Sequence, residues 1–162
     1  MNYRIRVAGV MLDAANRLLL VHEHTPDSHE EFWTLPGGGQ ESQDKSVFEA
    51  LRREFREETG LEVETEGRLL YFREFIEPSR HRHHLELAFL ISRFTGELSA
   101  TTIADVTDPQ QLERHTRWFH AHELVNLPVY PTYLKDRFWD DISSDSLETR
   151  YLGVEIEQEH LP

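Results

Sequence analysis

Within one short segment, Arg53, Glu54, Glu57 and Glu58 are of the types, and at the spacing, that hold a divalent cation. On a helix advancing about 100° per residue, the three glutamates fall on one arc, beside an apolar stripe of Val47, Ala50, Leu51 and Phe55. Carboxylates crowded in this way repel one another, which raises their pKa values. A divalent cation removes that conflict. Oxygen ligands of this kind suit Mg²⁺ or Mn²⁺, and Mg²⁺ usually keeps some of its waters and takes further ligands from substrate phosphates. The plainer reading is a solvated helix face on which Arg53 and Arg56 pair with the acids one turn away.

The elements that must position these acids have local signals. Ser46-Val47-Phe48-Glu49 is a capping-box pattern with Ser46 as the cap, and Gly60 stands where a left-handed C-terminal residue is wanted. Before the helix, Phe32-Trp33-Thr34-Leu35 stops at Pro36-Gly37-Gly38-Gly39, which reads as a glycine turn. Glycine lets backbone approach a ligand closely, which makes Gly38 and Gly39 candidate substrate contacts. Tyr3 to Leu12 and Arg17 to Val21 read as strands joined through a turn at Asp13–Asn16. Val63 to Phe75 is strand-like, and His83, Leu85, Leu87 and Phe89 alternate with Arg82, His84, Glu86 and Ala88 as in a half-buried strand. Phe94 to Leu98 reads as a bend and Ala104 to Glu113 as a polar loop; Thr116 to Phe119 is a short strand, and His122-Glu123-Leu124 begins a helical turn. A helix over Tyr133 to Asp141 and a strand over Tyr151 to Ile156 complete the chain. Strands interleaved with two main helices predict an α/β domain, single over residues 1–162.

Composition narrows the function classes. The chain has 162 residues, 38% of them apolar, enough to bury a sizeable core. It has no cysteine, which excludes disulfides, thiolate metal sites and a cysteine nucleophile. The formal net charge of −13 repels a polyanion, so long nucleic acid is disfavoured as a partner, while a metal can invert the local sign for a small anion. No run approaches the ~20 apolar residues of a membrane helix, and the N-terminus lacks the apolar core of a signal peptide; a cytoplasmic location is the default.

The segment Arg53-Glu54-Phe55-Arg56-Glu57-Glu58-Thr59-Gly60-Leu61, with Trp33 to Glu41 upstream, resembles the Nudix hydrolase family, whose box reads G-x5-E-x7-R-E-U-x-E-E-x-G-U with U bulky and apolar. The box occupies residues 38–61, and its second half matches at Arg53, Glu54, Phe55, Glu57, Glu58, Gly60 and Leu61. One departure stands out. Counted back from Arg53 the first box glutamate falls at Lys45; counted forward from Pro36 it falls at Asp44. In the family that glutamate supports the arginine. Lys45 there would turn an ion pair into a repulsion, whereas Asp44 would restore it.

The resemblance implies a Nudix-like α/β/α sandwich around a mixed β-sheet. It also implies metal-dependent hydrolysis of a diphosphate linkage in a small nucleoside diphosphate derivative, releasing nucleotide and phosphorylated X. Glu54, Glu57 and Glu58 would ligate Mg²⁺ or Mn²⁺ with the Gly37 carbonyl, and Arg53 would orient the acids. The general base is Glu57 or another box glutamate, or a later acid, for which Glu113 is preferred over Asp108 and Glu123. The cationic island Arg80-His81-Arg82-His83-His84 is an exposed turn, or contacts a substrate phosphate through Arg82. Phe32, Trp33, Tyr71, Phe72, Trp118 and Phe119 are core aromatics unless they stack on a base. Isopentenyl diphosphate isomerisation, which also uses this fold, needs a cysteine that the chain lacks. A nucleotide-binding module without turnover is the rival reading, with Lys45 as its support. Pro78 hints at ADP-ribose among the substrates, and the N-terminal strand offers a surface for a homodimer.

Overall fold

The apolar alternation of the N-terminus forms strand β1 (Asn2–Val10), which leads through an aspartate turn into β2 (Leu18–His24). Asp13 Oδ1 accepts from the Ala15 and Arg17 amides at 3.0 and 2.9 Å, and Asn16 takes the left-handed conformation that closes the turn. The chain continues through β3 (Glu31–Thr34), β4 (Gly37–Gly39), helix α1 (Val47–Thr59), β5 (Glu62–Glu64), β6 (Leu69–Glu77), β7 (Arg82–Leu90) and β8 (Arg93–Thr95). It ends with β9 (Thr116–Phe119), the short α2 (Ala121–Leu124), α3 (Arg137–Ser143) and β10 (Arg150–Ile156). The computed structural model describes residues 1–24, 30–99, 115–144 and 146–157, so the predicted loop 104–113 lies outside the described residues.

The central sheet has the order β10-β6-β7-β1-β4 and is mixed: β1 runs parallel to β7 and β10 to β6, whereas β6–β7 and β1–β4 are antiparallel. A three-stranded sheet, β3-β2-β9, and the β5–β8 pair complete the strands. Two apolar clusters flank the central sheet. Val7 and Phe89 meet Leu51 and Phe55 of α1 on one face, and Ala8, Tyr71 and Ala88 meet Tyr133, Leu134 and Phe138 on the other. This is the expected α/β/α layering around a mixed sheet.

Several elements differ from the sequence-based expectations. Gly37–Gly39 is a strand paired with Arg6–Ala8 rather than a turn. The stretch from Val63 to Phe75 breaks into β5 and β6 around Gly67, and the expected helix at Tyr133 starts as a 3-10 turn before α3. The alternation in β7 is present, but burial follows its polar set: His84 and Glu86 are 5% and 6% exposed, whereas Leu85 is 38% exposed. Glu86 is buried because Arg73 Nε and the Tyr71 hydroxyl hydrogen-bond it at 2.8 and 3.3 Å. Leu85 is bare because α1 covers only the Val7–Phe89 end of its face, which leaves Tyr3, Ile5, Val154 and Ile156 exposed as well.

Helix α1 begins as the sequence predicts. Ser46 Oγ accepts from the Glu49 amide at 3.2 Å, while the Glu49 carboxylate reaches one residue further back than a capping box requires, to the Lys45 amide at 2.8 Å. Ser46→Ala is expected to lower stability by ~1 kcal/mol, and Ser46→Asp to retain most of it. Urea unfolding followed by circular dichroism measures this, and an unchanged midpoint for the alanine variant would show that the cap contributes nothing.

Candidate functional site

Ser46 and Gly60 fix both ends of α1, and the packing of its apolar stripe, Leu51 and Phe55, on Val7 and Phe89 sets the rotation of the helix and with it the direction of each glutamate. Glu54 and Glu58 lie one turn apart and are only 8% and 2% exposed, while Glu57 faces solvent. What receives the two buried acids is the glycine strand. The Gly37 amide donates to Glu58 Oε2 at 2.8 Å. A Cβ on Gly38 would stand 2.3 Å from Glu54 Oε1, so only glycine lets that carboxylate lie on the strand. Gly37 has a φ of +154°, and a Cβ there would meet the Val7 carbonyl oxygen at 2.1 Å. The glycines therefore serve close approach, as their types suggest, but what approaches Gly38 is the protein's own acid.

Arg53 ties the acids to the loop before the helix. Its Nη1 donates to Glu54 Oε1 at 2.9 Å and to Glu57 Oε2 at 3.2 Å, and its Nη2 donates to the Gly39 carbonyl at 2.9 Å. Its Nε and Nη2 form a two-pronged pair with Asp44, at 3.2 and 2.9 Å. Asp44 thus stands where the box glutamate was expected, and Lys45 is only the residue before the helix cap. Asp44 Oδ2 also accepts from the Glu41 amide at 2.8 Å, which closes the loop on itself. The arginine beside Asp44, followed by the Glu41 amide, holds its carboxyl below the ordinary carboxylate range. Burial pushes Glu54 the other way, Arg53 opposes that rise, and Glu57 adds to it.

One guanidinium therefore serves Asp44, Glu54 and Glu57, and the buried Glu58 carboxylate lies nearby. The donor set is all oxygen and the local charge is negative, which fits a hard divalent cation. Among the described residues no three acids or histidines converge into a ready cage, since Arg53 and the Gly37 amide hold the acid oxygens. That arrangement suits an ion that accepts one or two carboxylates and fills its remaining positions with water and phosphate oxygens.

The other candidates are scattered. Glu123 caps α2 through the His120 amide and pairs with Arg117, both at 2.7 Å, so both its oxygens are engaged. Glu113 and Asp108 lie outside the described residues. Arg82 starts β7 opposite Asn2, four register positions from the Arg6–Glu86 pair, away from the glycine strand. His83 and His84 face opposite sides of the sheet, bound to Glu74 and Glu77 at 2.6 and 2.7 Å. Tyr71 and Phe119 are core, and Trp33 packs its ring edge-on against Phe119.

Two outcomes test this geometry. Asp44→Ala is expected to lower the melting temperature and Lys45→Ala to leave it near that of the wild type; the reverse order in thermal melts would return Lys45 to the arginine. Because the folded pKa of Glu54 is raised, its ionised form costs stability at neutral pH, and the cost vanishes as pH falls below the ordinary glutamate range. Metal-free Glu54→Gln should therefore melt higher than the wild type at pH 7, with the gap closing towards pH 4. A gap that widens on acidification would contradict this account.

Comparison with known proteins agrees with the geometry. A family model described as the NUDIX domain matches residues 2–137. The uncharacterised Nudix hydrolase YvcI of Bacillus subtilis is 26% identical over 133 residues, covering 81% of this chain and 75% of its own length. Among solved structures, the E. coli ORF135 protein superposes with a TM-score of 0.68 at 22% identity, over 91% of this chain and 96% of its own. A MutT NUDIX hydrolase from Burkholderia pseudomallei gives a TM-score of 0.56 at 26% identity, over 75% of this chain and 86% of its own. With its box carried on α1 and the glycine strand beneath it, the chain belongs to the NUDIX domain family.

Proposed function

We propose that the chain hydrolyses a diphosphate linkage in a nucleoside diphosphate derivative, using Mg²⁺ or Mn²⁺ held by Glu54, Glu57 and Glu58 with the Gly37 carbonyl. The observation that carries this reading is the burial of Glu54 and Glu58 against glycine backbone, with a single guanidinium shared among the neighbouring acids. Two carboxylates kept nearly dry at this spacing cost stability unless a cation repays them. When bound, the metal supplies polarised phosphoryl oxygens and a water of lowered pKa.

The protein's own residues do the positioning. Arg53 holds Glu54 and Glu57 towards each other, Asp44 fixes the rotation of Arg53, and the Gly37 amide fixes Glu58. Glu57, the solvent-facing acid, would accept a proton from an attacking water, with Glu113 as the other candidate base. The products are a nucleotide and phosphorylated X. Membership of a hydrolase family, with relatives named as MutT and Nudix hydrolases, supports the reaction class. The rival reading as a binding module without turnover rested on Lys45, and the pairing of Asp44 with Arg53 removes that support.

A Mg²⁺-dependent hydrolysis panel tests the proposal, with ADP-ribose, nucleotide sugars, dinucleoside polyphosphates and nucleoside triphosphates separated by chromatography. Glu57→Gln should abolish turnover, and Asp44→Ala, acting through Arg53, should weaken metal affinity by ~10–100-fold. Glu113→Gln should lower kcat without changing metal affinity if Glu113 is the base. Turnover that persists in EDTA, or an active Glu57→Gln, would sink the metal assignment.

A further inference from the structure

The face of the central sheet that carries α1 is covered at one end only. Tyr3 and Ile5 of β1, Leu85 of β7, and Tyr151, Val154 and Ile156 of β10 are between 38% and 78% exposed. Strand register brings them together. Ile5 lies beside Leu85, and Glu74 of β6 stands between Leu85 and Val154, so one face of four adjacent strands is a continuous apolar patch. At those exposures the six side chains leave roughly 600 Å² bare, the top of the range for a lone chain. Half-buried Phe72 and Ile76 of β6 extend the patch towards the ~800 Å² that each partner of a stable complex covers.

The polar groups in the patch are settled within it. Glu74 Oε1 accepts from the Tyr151 hydroxyl at 2.7 Å, and its Oε2 lies 2.6 Å from His83 Nε2, so neither oxygen needs an outside donor. The His83 ring packs on Tyr3 and the Tyr151 ring stacks on Phe72, each with 4.9 Å between centroids. Rings held in this way have little freedom left to lose on docking. Arg4, Arg6, Arg73, Arg82 and Arg150 all leave these strands on the opposite face. Nothing here would hold an anionic ligand or an acidic partner.

What matches a broad apolar face without free charge is another such face, and a second copy of the chain supplies it. Shape points the same way. Helix α1 stands on the sheet at the Val7–Phe89 end as a step, while the Tyr3 end is open. A helix is about 10 Å thick, which is also about the distance at which two sheets pack face to face. A copy turned end for end by a two-fold axis across the strands would therefore seat its own α1 past the open end of the first, step against step.

We propose that the chain forms a two-fold homodimer through the face bearing Tyr3, Leu85 and Ile156, with the two sheets stacked. The interface is independent of the hydrolase reading and involves none of the box acids.

Sedimentation equilibrium from ~0.1 to ~100 μM protein tests the dimer, since interfaces of this size associate at micromolar concentration or tighter. Wild-type protein should be dimeric at the upper end. Leu85→Glu puts an unpaired charge on the face of both copies and should raise the dissociation constant at least ~100-fold. Val125→Glu, at an exposed apolar residue beyond α2, should leave it unchanged. Circular dichroism verifies each fold, and Ile156→Glu on the edge strand repeats the test if Leu85→Glu does not fold. Added NaCl should tighten the dimer, because it screens the repulsion between two chains of charge −13 and leaves apolar contact intact. A wild type that stays monomeric, a dimer indifferent to the face variants, or one that dissociates as salt rises would each overturn the proposal. Hydroxyl-radical labelling of Tyr3 and Tyr151 in such a monomer would show whether another part of the same chain covers the face instead.

Discussion

Burying two glutamates of one helix against a backbone strand is the constraint from which the rest of the site follows. Glu54 and Glu58 can lie there only if the strand beneath has no side chains, only if something donates to their oxygens, and only if the helix cannot rotate. Gly37 and Gly38 meet the first condition, the Gly37 amide and Arg53 the second, and the packing of Leu51 and Phe55 on Val7 and Phe89 the third. Arg53 in turn needs an anchor of its own, since a guanidinium held by two crowded acids alone would follow either of them. Asp44 supplies that anchor from outside the helix, through a loop that its own carboxylate closes onto the Glu41 amide.

The central sheet gives the two sides of the molecule different tasks. On the α1 side, Leu51 and Phe55 pack on Val7 and Phe89, which fixes how deeply the acids sit; burial of this kind is worth ~1.5–3 kcal/mol per large apolar side chain. On the opposite side the strands carry both core and polar groups. Ala8, Tyr71 and Ala88 are covered by Tyr133, Leu134 and Phe138, while Arg73 and Glu86 neutralise each other further along. Among the described residues, the His84 Nδ1 is the buried side-chain atom on that face without a hydrogen-bond partner.

The departure in the box shows how a loop can absorb a change that spacing alone makes alarming. One extra residue between the lead-in and Arg53 leaves two positions competing for one role. The structure resolves this at the helix start: Lys45 gives its amide to Glu49, and Asp44 turns inward to the arginine. Asp44 accepts two hydrogen bonds from the guanidinium, at 3.2 and 2.9 Å.

Residue types and spacing alone determined helix 47–59 with its caps, the grouping of Glu54, Glu57 and Glu58, most strands, and the α/β class, because each depends on interactions within a few residues or on a repeat along one element. The family resemblance was carried by the same local segment. Only the tertiary structure decided that Asp44 and not Lys45 meets Arg53, that Gly37–Gly39 pairs as a strand with β1, that β7 buries His84 and Glu86 and bares Leu85, and that Arg4 and Arg6 line up with β7. Each of these is a contact between residues far apart in the chain, and its outcome turns on strand register. A shift of one residue in that register would reverse every side chain on the face, and no local pattern of residue types records which register is taken.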